Sequence, residues 1–181
     1  VTPEEPAEHY QPRASREGKT AQELARVVLE QAGFEGIDEA YTLPKSGVQF
    51  NFRVVDAKGD REFLVDVSGA FTTARPGLLR TDTLWKTLGR AHVLKSLDEE
   101  ARLLIVTSNL PRPGSDGDKA LHAVGPGNVW DAIEMFDSEG VSRLEQYAQG
   151  HVEQLPGFWT GEELAARRDE QLARYYDAED E

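Results

Sequence analysis

The sequence predicts an α/β fold, a small mixed central sheet flanked by helices. Three observations predict it. "GVQFNFRVV" (47–55) and "REFLVDVSGAF" (61–71) read as two strands joined by "DAKGD", a hairpin-type connection containing Gly59. "RLLIVTS" (102–108) is a short apolar run of the kind that fills a central strand buried on both faces. Between these runs, Leu84, Leu88, Ala91 and Leu94 recur at helical spacing, which predicts a helix over 83–97.

The remaining elements follow in order. Residues 1–17 are rich in Pro and Glu without periodicity and read as a flexible arm. "TAQELARVVLEQAG" (20–33) reads as the first helix: Thr20 and Glu23 have capping-box spacing, Leu24, Val27, Val28 and Gln31 share a side, and Gly33 stops it. Residues 39–43 allow a short strand. "PRPGSDGD" (111–118) reads as a loop, "KALHAV" (119–124) as a last strand, and "NVWDAIEMF" (128–136) and "VSRLEQYA" (141–148) as short helices. "GEELAARRDEQLARYYDAEDE" (161–181) is a terminal helix that ends in acid.

Composition narrows the function classes. The chain has 181 residues, 39% of them hydrophobic, enough for one core. It has no cysteine, so neither a disulfide framework nor a zinc–thiolate site is expected. No apolar run approaches the ~18 residues of a membrane span, and the first residues lack the basic and apolar regions of a signal peptide. A soluble cytoplasmic chain with no membrane contact is the expectation. The net charge of −13 argues against a general polyanion binder. The charge is uneven, however. Residues 72–95 carry Arg75, Arg80, Lys86, Arg90 and Lys95 against Asp82 alone, a local +4, whereas residues 160–181 carry eight acids and three arginines, a local −5. The basic charge follows directly on a strand that holds a carboxylate, Asp66, in an otherwise apolar interior. Strand interiors disfavour Asp, so this position asks for an explanation.

The element order αβββαβ over residues 18–125 resembles the core of the PD-(D/E)xK nuclease superfamily, the restriction-endonuclease-like fold. In that family an acid on one hairpin strand and an acid-x-Lys on the next converge on Mg²⁺. The first pattern often reads Gly-Val-Asp, and "GVQF" (47–50) stands in its place. The second often reads Val-Glu-Val-Lys-Gly, and "VDVSG" (65–69) stands there. The separation of 17 between Gln49 and Asp66 suits the family. Glu23 corresponds to the helix-one Glu, and "TLWKTLGRAHVLK" to the long helix after the active strand. Gln49 thus replaces the first Asp, Ser68 replaces the Lys, and Asp66 alone is kept. Some members carry the lysine on the following helix, which makes Lys86 the candidate here.

The resemblance implies a nuclease-like domain over 18–150, with a helical acidic extension at 151–181, acting on DNA in restriction or defence with Mg²⁺, or Mn²⁺ in its place. Asp66 would be the main metal ligand, with Glu23 and Gln49 secondary. Lys86 would orient water, Ser68 would fill the third catalytic position, and Arg75, Arg80, Lys86 and Arg90 would hold phosphates. The alternative is an inactive nuclease-like module that positions DNA or contacts a protein partner in a larger assembly. Each residue also has a plainer role. Asp66 could be a structural carboxylate paired with Arg75 or Arg80, since a buried acid needs a partner. Glu23 could serve only as a cap, Gln49 could face outward, and Lys86 and Arg90 could form a solvated helix face. Trp85 and Trp130 read as core, the four histidines lack ligand spacing, and "GPG" (125–127) reads as a turn.

Overall fold

The computed structural model describes residues 10–68 and 76–179, with side chains described for 20–68 and 76–178. Their order is α1 (Tyr10–Ala32), β1 (Glu35–Thr42), β2 (Gln49–Val55), β3 (Glu62–Ser68), a 3-10 turn (Gly77–Leu79), α2 (Thr81–Leu97), β4 (Leu103–Thr107), α3 (Asp116–Val124), β5 (Asp131–Glu134), α4 (Ser138–Ala148) and α5 (Gly161–Glu179). The strands form one mixed sheet in the order β1-β2-β3-β4-β5. β1, β2 and β3 are antiparallel neighbours, and β3, β4 and β5 run parallel. Among the described residues no helix is long and apolar enough to cross a membrane.

Each face of the sheet carries its own core. Phe63 and Val65 of β3 and Leu104 and Val106 of β4 pack with α1 and α4 through Ala25, Leu29, Leu144 and Tyr147. Leu64, Leu103 and Ile105 face the other way, onto Leu84, Leu88, Ala91 and Leu94 of α2. The period-2 alternation of a strand divides these neighbours between the two layers. β3 and β4 are covered on both faces, as a parallel pair with helical crossovers requires.

Several expectations are corrected. α1 begins at Tyr10, so part of the expected arm is helical and Thr20 and Glu23 lie within the helix rather than at its start. Its buried stripe is Ala21, Ala25, Leu29 and Ala32, while Val27 stands 44% exposed. Leu24 and Val28 pack at the edge of the same core, so the expected stripe is rotated rather than absent, and of it Val27 alone among the apolar residues faces water. A capping box does occur, but at α5: Thr160 Oγ1 accepts from Glu163 N–H at 3.2 Å and Glu163 Oε2 from Thr160 N–H at 2.8 Å.

Residues 116–124 are a helix, not a strand, and 131–134 are a strand, not part of a helix. The Ser115 side chain accepts from Asp118 N–H, and Asp116 and Asp118 favour the positive end of the helix dipole. The parallel pairing of β4 with β5 also demands a crossover between them, and α3 is that crossover. β5 carries a buried carboxylate, Asp131, which receives Arg143 Nε at 2.8 Å and the Tyr147 hydroxyl at 3.0 Å, both from α4. The segment 151–181 is not a separate extension up to Leu164, because Trp159 and Leu164 are buried in the α2-side core. Glu163 adds a 2.7 Å contact to His122 of α3. Burial works against the Glu163 carboxylate, but the Thr160 N–H and the His122 ring outweigh it and hold the group below the usual carboxylate range.

The 3-10 turn is locked onto the end of β4. Gly77 has φ +59°, and a Cβ there would lie 2.6 Å from Thr107 Oγ1 and 2.8 Å from both backbone atoms N and O of Asn109. Gly77→Ala combines left-handed strain with a backbone clash and should cost well over ~1 kcal/mol. Urea unfolding measures it, and a wild-type midpoint would contradict this packing.

Candidate functional site

β3 enters the sheet centre with Leu64, Asp66 and Ser68 on its α2 side. Asp66 is 1% exposed, so its charge requires a counter-charge. That partner is Arg90, from the third turn of α2. Its Nη2 donates to Asp66 Oδ2 at 2.8 Å and Oδ1 at 2.9 Å, and its Nε to Oδ2 at 3.2 Å. The expected partners are therefore corrected: Arg80 points elsewhere and pairs with Asp82 at 3.4 Å, and Arg75 lies outside the described residues. Arg90 reaches Asp66 because the apolar stripe of α2 seats the helix against β3, which turns Thr87 and Arg90, three residues apart, toward the strand.

The polar contacts continue inward. Thr87 Oγ1 accepts from Arg90 Nη2 at 3.4 Å and lies 3.0 Å from Ser68 Oγ. Ser68 is buried, and its carbonyl accepts from Thr107 Oγ1 at 2.6 Å. Ser68 is thus a link between β3, α2 and β4.

Outward of Asp66, β2 and β3 part. Their ladder pairing ends at Phe52–Val65. Beyond it the Asn51 side chain takes over, with Oδ1 accepting from Val67 N–H at 2.8 Å and Nδ2 donating to Gln22 Oε1 of α1 at 3.2 Å. Gln49 Nε2 donates to the Ala40 carbonyl at 3.3 Å. The parted strands leave a groove of about 280 Å³ lined by Gln22, Gln49, Asn51, Asp66 and Arg90 together with Ala40, Phe50 and Val67.

The structure therefore brings together Asp66, Gln49 and Arg90, and adds Gln22, Asn51 and Thr87, which sequence reasoning missed. Asn51 was findable as the same-face neighbour of Gln49, two residues on. Glu23 stands on the exposed side of α1 and is not part of the groove; its neighbour Gln22 is. Lys86 is exposed and makes no hydrogen bond or ion pair among the described residues. Lys95 is half-buried, which lowers its pKa, and donates to the Glu99 and Ala101 carbonyls at 2.8 and 2.6 Å, closing the end of α2. Trp85 is 57% exposed, not core, whereas Trp130 is partly buried against Phe63 and Tyr147.

The groove is electrically balanced as it stands, one carboxylate against one guanidinium, with three neutral carboxamides around them. A hard divalent cation wants several oxygen ligands carrying negative charge. Both Asp66 oxygens already hold Arg90, and the other oxygen donors around the groove are the uncharged carboxamides of Gln22, Gln49 and Asn51. This donor set does not fit Mg²⁺.

Comparison with protein-family models, with curated proteins and with solved structures finds no match to the chain.

Arg90→Ala leaves Asp66 buried without its counter-charge and should destabilise the fold by about 3–5 kcal/mol, whereas Asp66→Leu with Arg90→Met should recover most of that loss. Lys86→Ala, on the exposed face, should stay within ~0.5 kcal/mol of wild type. Denaturant titration of the four proteins decides. Equal losses in Lys86→Ala and Arg90→Ala would show that the ion pair carries no special weight.

Proposed function

We propose that this chain is a nuclease-like domain of the PD-(D/E)xK type that holds DNA without cutting it, within a larger assembly. Three features support the nuclease-like reading. The element order αβββαβ matches that core, with a mixed sheet in the order β1-β2-β3-β4-β5. A carboxylate sits inside the third strand, at the mouth of a split between the hairpin strands. The helix that follows carries positive charge in an otherwise acidic chain. One observation carries the non-cleaving form. The two oxygens of Asp66 are taken by a guanidinium tethered to α2, so the position a metal would need is held by a cation of the chain itself. The acidic C-terminal residues suit a protein partner better than a second nucleic-acid contact.

A second reading, Mg²⁺-dependent cleavage, draws on the same pair. The cation beside Asp66 comes from the helix to which some members of the family transfer their lysine. In this reading Arg90, not Lys86, is the transferred cation.

Plasmid DNA with Mg²⁺ or Mn²⁺ separates the two. The expected result is salt-dependent retention of DNA with no nicking, and retention that weakens when Arg80 and Lys86 are both replaced by Ala. Nicking by the wild type that disappears in both Asp66→Ala and Arg90→Ala would establish the second reading. Nicking that survives Asp66→Ala would remove the groove from the chemistry.

A further inference from the structure

α5 outruns the body to which it is attached. Its first turn is anchored: Leu164 is buried in the α2-side core, and Glu163 meets His122 at 2.7 Å. From Arg168 to Ala178 every residue is exposed, although the helix continues to Glu179. No core lies under this half, and a helical stretch of that length is marginal in water without packing. Its apolar residues are large and uncovered. Leu172 is 55% exposed, Tyr175 62% and Tyr176 63%, and the two tyrosine rings meet each other edge to face with centroids 5.9 Å apart. Arg168 makes no hydrogen bond or ion pair among the described residues.

The residue order along this half is complementary to itself. Positions 168, 172, 175 and 179 follow the alternating four- and three-residue steps of a coiled-coil seam, and the sequence there reads Arg, Leu, Tyr, Glu. In an antiparallel pair of such helices, position 168 faces 179 and position 172 faces 175. Two Leu172–Tyr175 contacts then lie at the centre, and an Arg168–Glu179 pair closes each end. Beside the seam, Asp169 meets the partner's Tyr176 and Gln171 meets the partner's Ala178, so no like charges face each other. Glu170, Arg174 and Asp177 stay on the outer side. A parallel pair would instead set Arg168 against Arg168. An unrelated protein would need only the apolar centre, and would give no reason for a basic end matched to an acidic one. We infer that the exposed half of α5 binds a second copy of this chain, antiparallel, about a two-fold axis between Ala173 and Arg174. The paired stretch is about 18 Å long, a small interface, so the dimer is weak and forms only as concentration rises. This pairing stands apart from the nucleic-acid reading above and gives the C-terminal helix its partner.

Sedimentation velocity of the full chain, from about 10 µM to about 1 mM, tests the pairing. The wild type should pass from monomer to dimer across that range. Leu172→Glu should stay monomeric throughout, with the urea midpoint of dilute wild type, because Leu172 belongs to neither core. Arg168→Glu should weaken dimerisation about tenfold, since it turns two attractive pairs into repulsive ones. Arg168→Glu combined with Glu179→Arg should restore the wild-type dimer, because each reversed charge then meets its opposite across the axis. The charge reversal also decides the matter without Leu172, should that variant fold poorly. A wild type that is monomeric at every concentration would overturn the inference. So would a dimer that survives Leu172→Glu, which would place the interface elsewhere. Failure of the double reversal to recover what Arg168→Glu loses would overturn the antiparallel register. DNA retention by a monomeric wild type would sink the pairing and leave the DNA-holding reading in place, and a dimer that retains no DNA would do the reverse.

Discussion

The constraint on which the architecture depends is the burial of a carboxylate in a strand covered on both faces. Asp66 cannot be hydrated where it stands, so a cation must be delivered to it by an element packed on the sheet. α2 delivers Arg90, and to do so it must lie at one height and one rotation on β3. The apolar residues Leu84, Leu88, Ala91 and Leu94 would tolerate small slips along the sheet. The three nitrogen–oxygen contacts of Arg90 with Asp66, each between 2.8 and 3.2 Å, would not. The Thr87–Ser68 contact adds a second fixed point one turn away.

The same device appears at the far side of the sheet. β5 carries Asp131, and the helix that follows it, α4, delivers Arg143 and Tyr147 to that carboxylate. In both cases the strand contributes the acid and the next helix the base, so each strand-to-helix connection is closed by its own ion pair. The Tyr147 hydroxyl also accepts from Leu155 N–H at 3.0 Å, which ties the segment leading to Trp159 and α5 into the same network. The two pairs lie on opposite faces, with α2 on one and α4 on the other, and between them they hold β3, β4 and β5 in a single setting.

The hairpin, the buried β4 and the helical period of α2 were legible because each is encoded locally: a Gly turn, an unbroken apolar run, and a repeat of Leu84, Leu88, Ala91 and Leu94. The exchange of strand and helix over 116–134 was not, because "KALHAV" and "DAIE" are short apolar runs whose period is ambiguous. Only the parallel pairing with β4 resolves them. The face of α1 was read slightly rotated because Ala21, Ala25 and Ala32, which carry little hydrophobic signal, share its buried centre with Leu29, while the louder Val27 faces water. At the site, Asp66 was legible as an anomaly, but its partner was not. Arg75, Arg80 and Arg90 are equivalent in composition, and the choice among them depends on the angle at which α2 crosses β3. Asn51 was hidden for a related reason. Its significance is that it replaces a ladder bond where two strands part, and the parting is a tertiary event.

The two departures from the resembled motif and the pairing of Asp66 with Arg90 can be taken together as one charge balance. In the pattern that this chain resembles, two strand acids and a lysine leave a net negative site that a divalent cation completes. Gln49 removes one negative charge and Ser68 removes the positive one, so these two changes cancel and would by themselves leave Asp66 as an unbalanced buried anion. Arg90 supplies the missing charge, and does so permanently, because it is attached to the fold. A tethered guanidinium also satisfies a carboxylate in a way a lysine does not, with a planar fork of donors matched to both oxygens. Ser68 then takes a structural part, its hydroxyl beside Thr87 and its carbonyl receiving Thr107. On this account Gln49, Ser68 and Arg90 are not independent features. They belong to one arrangement in which the buried Asp66 carboxylate is balanced by a cation of the chain itself.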